Sequence, residues 1–410
     1  MVQILLVLLP IIFSVEVSGF LIAKSHFKTT TATTTESPAN SIRQFCTKME
    51  ASSSPSHLTS SITTNSNNSL GAQTLKELVL QAAEEDVAQT MDLNGIMWLE
   101  HINLVVGSRP MAERFYLDLI GFTKDKSTSF HVNMGQQQFH LAAVDGETAQ
   151  RITGSIGLAV PNLATVRQRL KDALDQEDDW KDTKFAILED DTSNYCMTIQ
   201  CPWGNRFHLY DIQAENDSLE PPSDSPHKMV RLHTEGGSYA ARRMAVRGNP
   251  GIRYIEIACP VGTTSALAQF YQDMVGCTIT RPTIGGTKSQ SPLSCCVNVG
   301  PGVHLVFVEN ENLSDNDLEA MKGVHICIYA NDFKGFYDRL KARDLIWTNP
   351  RFLHLDSCDT WEEATASRTL RFKDLIDLNE GKGEKVLELE HETRPLRHGQ
   401  YLKVPFYEPK

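Results

Sequence analysis

Phe115-Tyr116-Leu117-Asp118-Leu119-Ile120-Gly121 returns further along the chain as Phe270-Tyr271-Gln272-Asp273-Met274-Val275-Gly276, each copy ending a helix. Upstream of each lies an apolar run with strand character, Leu99 to Val106 and Ile252 to Cys259. Downstream of each, an Asn-x-Gly turn leads into a strand that carries His-Leu. The first runs Asn133-Met134-Gly135 to Phe139-His140-Leu141, the second Asn298-Val299-Gly300 to Val303-His304-Leu305. The chain is therefore internally duplicated. The repeat sets polar side chains at fixed points on buried strands, and a buried imidazole needs a partner, of which a metal ion is one.

Working outward, each copy reads strand, helix, strand, strand, strand. The first helix spans Arg109 to Leu119, with Pro110 near its start, where proline is tolerated. The order restarts with a strand at Ser155 to Val160 and a helix at Leu163 to Leu174, with strands near Phe185 to Leu188, Tyr195 to Gln200 and Asn205 to Ile212. A polar stretch with Pro221, Pro222 and Pro226 follows, and then the double order returns. Its second half has a strand at Val324 to Tyr329, a helix at Phe333 to Arg343, and later strands at Thr369 to Ile376 and Lys385 to Glu390. The fold class is α+β, in two tandem domains, 97–212 and 251–392. A lead-in helix (74–92) precedes them, a linker (213–250) joins them and a tail (393–410) follows.

With 410 residues, 41% hydrophobic and 22% charged, the chain has enough apolar content for real cores. A net charge of -12, with no dense Lys/Arg run, argues against nucleic acid as a partner. The nine cysteines show no CxxC spacing, and Cys259, Cys277, Cys295, Cys296 and Cys327 sit in or beside apolar strands, as buried free thiols do. Residues 1–19 read as a signal peptide, too short to span a bilayer comfortably, so no membrane contact is expected of the mature form. Residues 20–73 are Ser/Thr-rich and poor in acids, which is transit-peptide chemistry. The pair resembles the two-part plastid presequence of algae; secretion with a disordered linker is the alternative.

Two consecutive βαβββ units, opening with Leu99-Glu100-His101-Ile102-Asn103-Leu104 and closing with Gly204-Asn205-Arg206-Phe207-His208-Leu209, resemble the vicinal oxygen chelate (VOC) superfamily. That group includes glyoxalase I, extradiol dioxygenases and bleomycin resistance proteins. The resemblance implies two cup-shaped mixed sheets with helices outside. It also implies up to four inward metal ligands per cup, from the first and last strands of each unit. In the first domain these positions hold His101, His140, Ser155 and His208; in the second, Tyr254, His304, His325 and Glu388.

The first set lacks a carboxylate and reads as a hydrogen-bonded pocket, with His101, His140 and His208 as substrate contacts. In the second, alternation along the strands sends His304, His325 and Glu388 inward. Two imidazoles and a carboxylate suit a divalent ion (Fe, Mn, Zn or Ni) and leave positions open to substrate. Tyr254 and Glu256 would then handle protons, Glu390 would act as a base or outer partner, and Arg371 would grip an anionic group or lie on a solvated face. His131, His391 and His398 read as surface or edge histidines. Two functions follow: a metal-dependent dioxygenase or glyoxalase-like lyase acting on a small oxygen-chelating molecule, or a metal-free binding module for a small ligand.

Overall fold

The protein is seen as a computed structural model that describes residues 71–72, 74–76, 78, 95–125, 129–135, 137–144, 146–191, 196–212, 250–280, 294–300, 303–379 and 383–401. The expected signal peptide (1–19), nearly all of segment 20–73, most of the expected lead-in helix 74–92, linker residues 213–249 and tail residues 402–410 lie outside the described residues. Among the described residues no helix is long and apolar enough to cross a membrane.

The first unit is β1 (Ile96–Val105), α1 (Arg109–Ala112), β2 (Thr123–Lys124), β3 (His131–Met134) and β4 (Gln137–Ala142). The second is β5 (Ser155–Val160), α2 (Leu163–Gln176), β6 (Ala186–Asp191), β7 (Cys196–Gln200) and β8 (Arg206–Asp211). The third is β9 (Gly251–Cys259), α3, β10 (Ile279–Thr280), β11 (Ser294–Asn298) and β12 (His304–Glu309). After α4 (Asp315–Met321), the fourth has β13 (His325–Ala330), α5 (Phe333–Ala342), α6 (Trp361–Ser367), β14 (Leu370–Ile376) and β15 (Lys385–Pro395). Among the described residues, this unit is one strand short of the expected order. The residues between α5 and β14 form a wall instead, with a 3₁₀ turn at Pro350–Phe352. Both α1 (Arg109–Ala112) and α3 (Thr264–Phe270) continue as π-helical turns, Glu113–Leu119 and Tyr271–Val275. The repeated Phe-Tyr-x-Asp motif falls on these turns, in the second copy starting at the last residue of α3, and Gly121 and Gly276 follow at φ 91° and 87°, a conformation that favours glycine.

The sequence leads one to expect each cup to form from consecutive units. The strand order corrects this. One sheet runs β14-β15-β13-β1-β4-β3-β2, joining the first and fourth units; the other runs β10-β11-β12-β9-β5-β8-β7-β6, joining the third and second. They are called cup A and cup B below. Each half of the chain gives one unit to each sheet, and the halves meet through the antiparallel central pairs β1–β13 and β5–β9.

The physical reason lies in the core and the connectors. Tyr116, on the turn after α1, packs on both Phe139 of cup A and Phe207 of cup B. At the end of α3, Phe270 packs on Phe372 of cup A, and Tyr271 of the following turn packs on Phe307 of cup B. The helices thus lie between the sheets, and one apolar core serves both. The two short connectors between units hold each other: Arg151 N donates to the Ala320 carbonyl, Gln150 Nε2 donates to the Lys322 carbonyl, and Arg151 pairs with Asp317 at 2.7 Å.

Candidate metal centre

Alternation sends Ile102, Leu104, Phe139, Leu141, Ile326 and Ile328 into the helix-side core and leaves cup A's concave face polar. A register shift between Leu99 and His101 breaks the alternation of β1, and buried Glu100 interacts directly with His101. Glu100 Oε1 lies 3.3 Å from His101 Nδ1 and 2.9 Å from Arg394, and Tyr329 Oη donates to Oε2 at 2.6 Å. A carboxylate at Nδ1 accepts a hydrogen bond from a proton held there and leaves a lone pair on Nε2, the arrangement that orients metal-binding imidazoles. His101 is 1% exposed, and its Nε2 has no hydrogen-bond partner.

Two further groups converge on that nitrogen. Glu392 Oε2 is 4.0 Å from His101 Nε2 and 3.8 Å from His325 Nε2. The candidate ligand atoms of His101, His325 and Glu392 all lie within 4.8 Å of one another, and all three residues are buried. Burial pushes His325 well below the usual imidazole value, so it is neutral and has a lone pair to offer. Burial also pushes Glu392 up, but Arg394 and Arg371 outweigh it and hold the carboxyl well below its usual range. Arg371 is 1% exposed and donates to Glu390 and Glu392, each at 2.8 Å, and to Asp356 at 2.6 Å. Arg394 bridges Glu100 and Glu392. Four carboxylates (Glu100, Asp356, Glu390, Glu392) thus face two guanidiniums. Carboxylates outnumber guanidiniums here, an excess that a cation would offset, and burial raises the Glu390 carboxyl above its usual value.

His140 and His131 extend the cluster. The rings of His101, His140 and His131 stack in a column with 3.6 Å between successive centroids. Burial pushes His140 well below its usual value and lowers His131 as well. A cavity of about 730 Å³ opens on this face, lined by Asn103, His325 and Glu390 from the sheet and by Trp347, Asn349 and Phe352 from the wall. Asn349 Nδ2 reaches both Glu390 oxygens, at 2.8 and 3.0 Å.

The expected set His304, His325 and Glu388 does not come together. His304 is on β12 of cup B, whereas His325 and Glu388 are on cup A. Glu388 pairs with Lys373 at 3.0 Å and with Lys385, near the rim. Glu392, four residues on, is the carboxylate that reaches the imidazoles. Arg371 is not a grip for anions, since buried carboxylates already engage it. Nor is His391 an edge histidine: it is fully buried, stacked on Phe372 and bonded to Tyr271 Oη at 2.8 Å. The expected free thiols are found, and every cysteine among the described residues is buried.

Register identifies the counterparts in cup B. Pairing His101↔Cys327 and Cys327↔Glu392 in cup A matches Tyr254↔Gly157 and Gly157↔His208 in cup B. Ser155 opens β5 as His325 opens β13. Thus Tyr254, Ser155 and His208 stand where cup A has His101, His325 and Glu392. They form a hydrogen-bonded chain: His208 Nδ1 is 2.7 Å from Tyr254 Oη and 3.4 Å from Ser155 Oγ, and Ser155 Oγ donates to Glu256. Burial pushes His208 down to about 3. A Cβ on Gly157 would sit 2.3 Å from the Tyr254 ring, so glycine leaves room for that ring. Tyr254 and Glu256, expected to serve a metal beside His325, belong to this other cup.

Paired βαβββ units whose first strands meet antiparallel at the centre of a concave mixed sheet define the VOC fold, and this chain carries it twice. No family model matches the chain, and no curated protein is similar in sequence. Similar solved structures include glyoxalase I from Zea mays (12% identity, TM-score 0.41, covering 72% of this chain and 92% of that one). The cppA protein from Streptococcus pneumoniae is 12% identical, with TM-score 0.36, covering 74% of this chain and 100% of that one. A mutant 4-hydroxymandelate synthase from Streptomyces coelicolor is 15% identical, with TM-score 0.23 and coverage of 73% and 93%. The fold assignment rests on the strand order.

Proposed function

We propose that the protein is a divalent-metal-dependent enzyme whose centre lies in cup A, with His101, His325 and Glu392 as ligands. The observation that carries this reading is the buried Nε2 of His101, which lacks a hydrogen-bond partner and lies beside the neutral His325 imidazole and the Glu392 carboxylate. Leaving such an atom unpaired costs about 1–3 kcal/mol, and a cation shared by the three side chains removes that cost. Two imidazoles and one carboxylate suit Fe, Mn, Zn or Ni and leave coordination positions free. Such an ion would supply Lewis acidity toward a substrate with neighbouring oxygens. The chain's own residues do the rest. Glu100 fixes the His101 tautomer, Arg371 and Arg394 hold Glu392 ionised and in place, and Trp347 and Phe352 shield one side of the cavity. The substrate class is a small molecule with two adjacent oxygens, processed by a dioxygenase or a glyoxalase-like lyase or isomerase.

One observation favours the metal-free binding module instead: both Glu392 oxygens already accept hydrogen bonds from guanidiniums. Metal analysis of protein purified without chelator separates the two readings. The enzyme reading expects a bound divalent ion that His325→Ala and Glu392→Gln each remove, together with the stabilisation given by added metal. Wild-type protein that neither retains nor is stabilised by Fe(II), Mn(II), Ni(II) or Zn(II) would establish the binding module.

A further inference from the structure

Cup B's concave face is covered by the chain itself. Ala72 and Leu75 are buried, at 3% and 0% exposure, in a cluster with Cys196, Tyr210, Tyr254, Cys296, Val306 and Val308. These six come from the inward side of β7, β8, β9, β11 and β12, the surface that in cup A faces the metal candidates and the cavity. One polar contact anchors the segment: Tyr210 Oη donates to the Ala72 carbonyl at 2.8 Å. Tyr210 Oη is also 2.6 Å from Tyr254 Oη, which in turn meets His208. Lys76 Nζ lies 5.5 Å over the Tyr210 ring, at the rim. The segment therefore offers cup B an uncharged carbonyl, a methyl group and an isobutyl group. The cup answers with tyrosine hydroxyls at its base and small apolar walls.

We propose that cup B is a second, metal-free ligand site, and that residues 71–78 are an intramolecular competitor that keeps it closed. Its ligand class is a short aliphatic molecule with one neutral hydrogen-bond acceptor, an amide or ester carbonyl. Neutrality follows from the group being replaced and from Glu256, buried and tied through Ser155 into the same chain of hydrogen bonds. A carboxylate entering there would meet a second carboxylate in a desolvated site, which disfavours it. A ligand of this chemistry competes with the segment for the same carbonyl and apolar contacts. Its apparent affinity scales with the fraction of molecules in which the segment is out.

The test uses the full chain, hexanamide as probe and hexanoate as the charged comparator. Leu75→Ser weakens the segment's hold without touching the cup. Hexanamide should bind this variant about tenfold more tightly than wild type, following the larger open fraction, and more tightly than hexanoate in both. Saturating hexanamide should also abolish amide-exchange protection over 71–78 in wild-type protein while β5 and β9 stay protected. Equal affinity for the two proteins, no binding to either, a preference for hexanoate, or binding that leaves 71–78 protected would each overturn the proposal. If Leu75→Ser does not fold, the exchange result on wild-type protein decides alone.

Discussion

Cup A and cup B share one strand plan and differ in what they place at three equivalent points. Cup A has His101, His325 and Glu392; cup B has Tyr254, Ser155 and His208. Cup A's set contains an anion, the neutral His325 imidazole and a His101 nitrogen lacking a partner. Cup B's set closes on itself, since a phenol, a hydroxyl and an imidazole each donate and accept. A polar pocket satisfied by its own hydrogen bonds gives nothing to an ion, and its mouth is filled by a carbonyl of the same chain. The same fold thus carries one cluster whose side chains could hold a cation and one whose polar groups satisfy each other.

The comparison breaks most easily at Arg371. Replacing it with Met strands Glu390, Glu392 and Asp356 beside one another, and removing one partner of a buried ion pair costs about 3–5 kcal/mol. Denaturant unfolding should show that loss, while Ser155→Ala in cup B should cost far less. Next is Glu100→Gln. It leaves the three candidate ligands intact but removes the charge at His101 Nδ1, and metal affinity should fall about 10–100-fold, as for other outer partners of metal-bound histidines. Titration with Zn(II) or Mn(II) measures it, and an unchanged Kd would remove Glu100 from the account.

The pH dependence sharpens the contrast. His208 and His391 are lowered from 6.5 to about 3 by burial, so the unfolded chain binds protons there first. Their stabilising effect is complete above pH 6.5 and is lost progressively as pH falls from 6.5 toward about 3. Each contributes a slope of at most about 1.4 kcal/mol per pH unit in that window. His208→Gln should flatten the acid limb of the stability curve; an unchanged slope would mean that His208 is protonated in the folded state. The smallest effect is expected of Tyr254→Phe, which removes one link of cup B's chain at about 1 kcal/mol and leaves metal content untouched.

Much of this plan was legible in the sequence. The repeated Phe-Tyr-x-Asp motif and the order of elements point to four units, and the family resemblance placed His101, His325, Tyr254 and Ser155 on their opening strands. Which unit pairs with which was not legible, because alternation describes each strand alone and carries no information about its neighbour in the sheet. That gap split the expected set of His304, His325 and Glu388 between two cups. Glu392 was overlooked because β15 continues to Pro395, past the expected end at Glu390. The signal was present as Glu388-x-Glu390-x-Glu392-x-Arg394, a charged alternation that marks one inward face. Glu100 was hidden by the bulge in β1, which no periodicity reveals.

The central claim is that the two cups differ in whether they hold a metal. Anomalous diffraction at the absorption edge of Zn or Mn, from crystals grown with that ion, locates it directly. The account predicts one peak, in cup A, within about 2.0–2.2 Å of ligand atoms of His101, His325 and Glu392, and none in cup B. A peak among Tyr254, Ser155 and His208, or no peak in either cup, would contradict it.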